Sequence, residues 1–204
     1  MGHLRGKHKV KLYVGTDSSW SLRSLLCFDI ARVTPEVSVF QLNDEISRQS
    51  LKKLSPTGLV PFLIDDESVI SDSLAIAEYL YEQENHCIYP TDPAQRAKSR
   101  SLCAEIHSGF MAIRQEMPFS AKGDVRRVSI SSQAETELVR LELIFSQANA
   151  GFFWGEVPTA VDAFYAVMAF RLTSYGIDFK GNAGRYQRSL VEWDRFEQAL
   201  KKIG

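Results

Sequence analysis

A chain of 204 residues is long enough for one large domain or two modest ones sharing an interface. Its apolar content of 45% is ordinary for a folded protein, and a formal net charge of -1 excludes the strong field that would recruit nucleic acid or an anionic membrane surface. Cys27, Cys87 and Cys103 form no CxxC pair, which excludes a zinc ribbon or a dithiol redox motif, so no metal is expected.

The first nine residues are basic and lack the apolar stretch of a secretory signal. They read as a disordered tail whose His3 and His8 are solvated. No run of 18 apolar residues occurs, so no membrane-spanning helix is expected. The cysteines then read as reduced and structural, and the location as cytoplasmic. Residues 10–14 read as a strand, and residues 21–31 carry Leu22, Leu25, Leu26 and Ile30 at helical spacing. Residues 36–42 alternate through Val37 and Val39 as a half-buried strand. Residues 43–54 form a weaker helix that stops at Ser55-Pro56-Thr57-Gly58. Residues 60–64 and 68–70 flank the acidic turn Asp65-Asp66-Glu67 as a hairpin, and residues 72–83 close this half as a helix.

Residues 84–93 are polar, contain Pro90 and Pro93, and read as a linker. Everything after it is helical. Asp92-Pro93 starts a long helix that runs to Met117 and stops at Pro118. Ser132-Gln133-Ala134-Glu135 has the form of a capping box, and its helix runs to about Asn149. Residues 159–175 are apolar on nearly every side, as a central helix is. One amphipathic helix follows from about Tyr186. The fold class is therefore an α/β domain over residues 10–83 joined to an all-α domain over residues 94–204.

Three segments of the first half carry chemistry. Thr16-Asp17-Ser18-Ser19 places hydroxyls at a helix N-terminus, where free N–H groups and the positive dipole end stabilise an anion, although the same residues also serve as caps. Pro61 inside a strand is tolerable if the Val60–Pro61 bond is cis, which exposes the Val60 backbone to a peptide ligand. Asp72 and Ser73 open a helix, Ser73 offering a hydroxyl and an N–H to a carboxylate and Asp72 an acceptor to an amine, although helix capping alone explains the pair equally well.

Ser18-Ser19-Trp20-Ser21-Leu22-Arg23, Val60-Pro61-Phe62-Leu63 and Asp72-Ser73-Leu74-Ala75-Ile76-Ala77-Glu78-Tyr79-Leu80 together resemble the glutathione transferase superfamily, the first word most like its serine-based zeta and tau classes. Thr159-Ala160-Val161-Asp162 is similar to the buried capping box of that family's helical domain, where Asp162 serves folding. The resemblance implies a thioredoxin-like domain that binds glutathione, with no metal. Ser18 would contact the sulfur, with Ser19 as a fallback donor and Tyr13 a weaker one. Leu59, Val60 and Pro61 would align the cysteinyl backbone, and Asp72 and Ser73 would hold the γ-glutamyl end. Leu59 stands where relatives place Lys or Gln, Asp72 where they place Glu, and Phe119-Ser120 where Met-Asn is usual.

The function so implied is attack of the glutathione thiolate on an electrophilic small molecule, by conjugation or by isomerisation of the maleylacetoacetate type. Serine in place of cysteine speaks against a mixed disulfide with the protein. The rival reading is a non-catalytic scaffold of the same fold that binds a protein. His107, Phe110, Met111 and Arg114 share one face of the long helix and are candidates for the second-substrate pocket, Arg114 facing an acidic group and His107 acting as a base. A homodimer is a further expectation of the resemblance.

Overall fold

The computed structural model describes residues 10–83, 88–124 and 128–204. The expected tail with His3 and His8, residues 84–87 of the expected linker, and Cys87 lie outside these. Strand β1 (Lys11–Gly15) places Leu12 and Val14 on one face, both fully buried. It pairs in parallel with β2 (Glu36–Phe40) and antiparallel with β3 (Phe62–Asp65), which pairs antiparallel with β4 (Ser68–Ser71), giving the order β2-β1-β3-β4. Helix α1 (Ser19–Ile30) makes the parallel crossover, which parallel strands require. Helices α2 (Glu45–Leu54) and α3 (Ser73–Gln83) complete a thioredoxin-like half.

The helical half comprises α4 (Pro93–Ser108), α5 (Met111–Glu116), α6 (Ser132–Phe145), α7 (Ala160–Ser174), α8 (Gly181–Val191) and α9 (Asp194–Ile203). Helix α7 is buried along nearly its whole length and packs on α1, α4 and α8. Its uniformly apolar sequence is what a central helix needs. Helix α1 lies between α3 and strand β1 on one side and α7 and α9 on the other. Arg100 of α4 grips Glu78 of α3 with three hydrogen bonds of 2.9–3.1 Å, a further link between the halves. None of the described helices is long and apolar enough to cross a membrane.

Three expected elements differ. The long helix ending at Met117 is two helices, because the chain breaks at Gly109 and Phe110. A Cβ at Gly109 would sit 2.8 Å from the Glu105 carbonyl oxygen, and Phe110 is left-handed at φ 60°. The cap of α6 is Ser131 rather than Ser132: its Oγ accepts from Ala134 N at 3.2 Å and donates to Glu116 at 2.6 Å. The single terminal helix is α8 and α9, separated at Trp193, whose ring meets Phe152 edge-on with centroids 5.3 Å apart. The break thus coincides with a tertiary contact.

Asp162 has no exposed surface, yet both carboxylate oxygens are satisfied. Oδ2 accepts from Thr159 N at 2.7 Å and Thr159 Oγ1 at 2.9 Å, while Oδ1 accepts from Phe153 N at 2.8 Å and the Tyr186 hydroxyl at 2.7 Å. Burial raises its carboxyl above the ordinary range while these bonds pull the other way. Asp162→Ala leaves four donors unpaired in the core. Urea unfolding should show stability reduced by about 3–5 kcal/mol with the slope unchanged; a loss below about 1 kcal/mol would show that the network is dispensable.

Candidate functional site

The loop between β1 and α1 is shaped by short polar side chains. Asp17 sits at φ 53°, a conformation Asp tolerates, and Ser18 returns to extended backbone as the N-cap of α1. Ser18 Oγ accepts from Ser21 N at 3.2 Å, and Ser21 Oγ accepts from Gly15 N at 3.0 Å, so two serines stitch the strand end to the helix start. With its lone pair on Ser21, the Ser18 hydroxyl keeps its proton to donate. Ser18 and Ser19 are both buried, at 7% and 8% exposure. No acidic residue occupies the first turn, so nothing there offsets the positive helix end. Tyr13 stacks on Phe62 with centroids 4.4 Å apart, which fixes its ring along the sheet.

Asp17 ties this loop to the helical half. Its Oδ1 accepts from Ala121 N at 2.7 Å, and its own N donates to the Ile203 carbonyl, at the end of α9, at 2.9 Å. Sequence reading singled out the serines and passed over Asp17, since these partners lie more than a hundred residues away.

The Val60–Pro61 peptide is cis, and Asp72 N donates to the Pro61 carbonyl at 3.2 Å. Buried Ser55 holds Leu59 from below, its Oγ donating to Leu59 O at 2.8 Å and accepting from Leu59 N at 3.2 Å. Asp72 stands at φ 83°, and its Oδ1 caps α3 by accepting from Leu74 N at 2.7 Å. The adjacent Ser73 has no exposed surface, and its Oγ is buried without a hydrogen-bond partner. An unpaired buried hydroxyl at a helix N-terminus is costly unless something else satisfies it.

Leu59, Val60, Pro61 and Asp72 wall one cavity of about 350 Å³, together with Trp20, Thr57 and Ser71. Ser18, Ser19 and Ser73 are not among its walls, although Ser19 and Ser73 adjoin the lining residues Trp20 and Asp72 along the chain. Trp20 was missed as a wall although it sits inside the first family word. A tryptophan in the opening turn of a helix reads as core until the facing loop is known.

The four residues expected on one face of a long helix are divided by the break at Gly109. His107 ends α4; its Nε2 lies 3.4 Å from Asp72 Oδ2, and its ring meets Trp20 edge-on with centroids 5.0 Å apart. Phe110 is buried at 6% exposure and Met111 is exposed at 51%, so they point to different environments. Arg114 donates from Nε to Gly109 O at 3.0 Å and from Nη2 to Ile106 O, closing the end of α4. Glu137 receives Ala112 N at 3.2 Å and Ile113 N at 2.9 Å, which starts α5 without a local cap.

Two further arginines lie nearby. Arg23 is 1% exposed, with its guanidinium 4.3 Å from the Trp20 ring centroid and 4.9 Å from that of Phe164. Arg171 is 4% exposed. Arg23 Nε and Nη1 and Arg171 Nε are buried without hydrogen-bond partners. Burial, then repulsion from Arg114 and Arg171, pushes Arg23 down to about 9; burial and Arg114 do the same to Arg171. Among the described residues there is no cluster of His, Cys, Asp and Glu fit to hold a metal.

Residues 17–83 match the family "Glutathione S-transferase, N-terminal domain". The chain is 29% identical over 165 residues to a stringent starvation protein A homolog of Pasteurella multocida, covering 78% of this chain and 76% of that one. It is 26% identical over 176 residues to a probable maleylacetoacetate isomerase of Caenorhabditis elegans, covering 83% and 82%. Its fold matches the crystal structure of a glutathione transferase homolog from Burkholderia GL BGR1 with bound glutathione, with a TM-score of 0.71 at 24% identity over 96% of this chain and 97% of that one.

The orphaned hydroxyl gives a direct check. Because Ser73 Oγ makes no bond in the free chain, Ser73→Ala should leave unfolding stability unchanged or raise it by up to about 1 kcal/mol in denaturant titration. A loss of about 1 kcal/mol or more would mean that the hydroxyl is already satisfied.

Proposed function

We propose that the chain, whose residues 17–83 match the glutathione S-transferase N-terminal domain, binds glutathione in the cavity walled by Val60, Pro61 and Asp72 and activates the thiol for attack on an electrophilic small molecule. The observation that carries this reading is the convergence itself. Residues from the α1 turn, the cis-proline loop and the start of α3 meet at one cavity of about 350 Å³, open to a peptide-sized ligand. Val60 would pair its backbone with the cysteinyl residue, as an added strand does. Asp72 would accept from the γ-glutamyl ammonium, and the unpartnered Ser73 hydroxyl would donate to the γ-glutamyl carboxylate.

A thiol of pKa near 8.5 is mostly protonated at neutral pH, and only the thiolate is strongly nucleophilic. Lowering that pKa by about two units takes about 2.7 kcal/mol of preference for the anion. A helix N-terminus supplies about 0.3–1 kcal/mol, up to about 2 when partly buried. A hydrogen bond to a charged group adds about 1.5–3 kcal/mol. Ser18 therefore donates to the sulfur at the head of α1 and forms no covalent bond itself, with Ser19 as the second donor at the same helix end.

In conjugation the thiolate forms an S–C bond and a leaving group departs with the electron pair. In isomerisation it adds to a carbon–carbon double bond, the resulting single bond rotates, and the thiolate is expelled unchanged. The buried arginines favour an acidic electrophile. Arg23 and Arg171 keep unsatisfied N–H groups beside Arg114, and Glu137, the carboxylate nearest Arg114's influence, is occupied in capping α5. A homodimer belongs to the same reading.

The alternative is a non-catalytic scaffold, which the similarity to a stringent starvation protein A homolog keeps in play. Retention on immobilised glutathione with elution by the free tripeptide separates the two, since a scaffold with a dead site passes through. Ser18→Ala should stay on that matrix yet lose about 10- to 100-fold in thiol transfer to an aryl chloride, corresponding to the loss of one charge-assisted hydrogen bond. Full activity in Ser18→Ala would remove the serine from the mechanism.

A further inference from the structure

We propose that His107, reaching over from the helical half, is a positioning residue that presents the Asp72 carboxylate to the γ-glutamyl ammonium and couples that subsite to pH. The inference rests on the glutathione reading of Asp72 given above. Asp72 has two carboxylate oxygens with separate tasks. Oδ1 is committed to Leu74 N at 2.7 Å, while Oδ2 faces His107 Nε2 at 3.4 Å. That separation exceeds a good N–H···O distance, so Oδ2 is oriented by the imidazole but has room for a closer cation. The Asp72 side chain is 45% exposed at the cavity wall, against 26% for His107 behind it.

The ring itself is held between Trp20 and Asp72. Trp20, a wall of the same cavity, packs edge-on at 5.0 Å between centroids. Nδ1 is buried without a partner, so the uncharged ring keeps its proton on Nε2, aimed at Asp72. The charged groups facing it are Asp72 ahead of α3, Arg23 on α1 and Arg114 on α5. Burial and then the two arginines hold the imidazole below its ordinary range against the opposing pull of Asp72.

The sign follows directly. Above its pKa the ring is a neutral donor and leaves the negative charge of Asp72 to the ligand. As pH falls through that pKa, the imidazolium neutralises Asp72 and repels an incoming ammonium, so ligands bearing an ammonium are released. A ligand without that ammonium does not feel the change.

The experiment uses the full chain with two probes, S-methylglutathione and its desamino analogue, in which the α-ammonium is replaced by hydrogen; neither carries a titrating thiol. As pH is lowered from about 7.5 to about 5, the affinity for S-methylglutathione should fall several-fold, most of it below the ordinary imidazole value of about 6.5, while that for the desamino analogue stays level. His107→Gln, which keeps a donor near Asp72, should bind S-methylglutathione with the neutral-pH affinity at both ends of that range. His107→Leu should weaken S-methylglutathione several-fold at neutral pH and leave the analogue unchanged. Equal pH dependence of the two probes, or an unchanged pH profile in His107→Gln, overturns the inference while the glutathione reading stands. Failure of the unaltered chain to bind either probe overturns both. A ligand-free measurement tests the pair separately: in NMR titration, Asp72→Asn should lower the pKa of the His107 ring, and an unmoved value overturns the pairing.

Discussion

Helix α1 has almost no face of its own. From Ser19 to Phe28 only Trp20 is not buried, because strand β1 and α3 cover one side and α7 and α9 the other. That double burial is the constraint on which the molecule depends. It makes the two halves one packed body, and it fixes the direction of the helix start where Ser18 and Ser19 stand. It also explains why Ser21, Arg23 and Ser24 are buried among the leucines. Ser21 bonds to the end of β1 and Arg23 meets Ile106 and Phe164 of the helical half, so burial of these polar groups accompanies a helix N-terminus placed inside the protein.

Much of this was readable from the sequence. The β-α-β and β-β-α order, the capping role of Asp162 and the largely apolar α7 each follow from a local rule: alternation, a carboxylate three residues after a threonine cap, and a helix without a polar stripe. Pro61 left the cis bond as one of two readings, and strand β3 begins only after it, at Phe62. Boundaries moved by one or two residues where capping side chains competed, as Ser131 did with Ser132.

The missing parts share a different cause. The break between α4 and α5 depends on Glu137 and on carbonyls that Arg114 fills, and the break before α9 depends on Trp193 meeting Phe152. Glu137, and Phe152 opposite Trp193, are distant in sequence, and the left-handed turn at Phe110 leaves no periodic signal. The same applies to the site. Its loops were legible as words, whereas Trp20 as a wall needs the facing loop of residues 57–61, and His107 against Asp72 exists only once the helical half has docked on the other. The expected shared face of His107, Phe110, Met111 and Arg114 failed because it assumed one continuous helix.

The Asp17–Ile203 hydrogen bond has a kinetic side. A contact between the β1–α1 loop and the final turn of α9 joins residues far apart in sequence, so forming it carries the closure cost of a long loop. During synthesis the thioredoxin-like half emerges well before the segment that latches it. The loop that carries Ser18 and Ser19 therefore lacks its Ile203 partner until α9 has been made and docked.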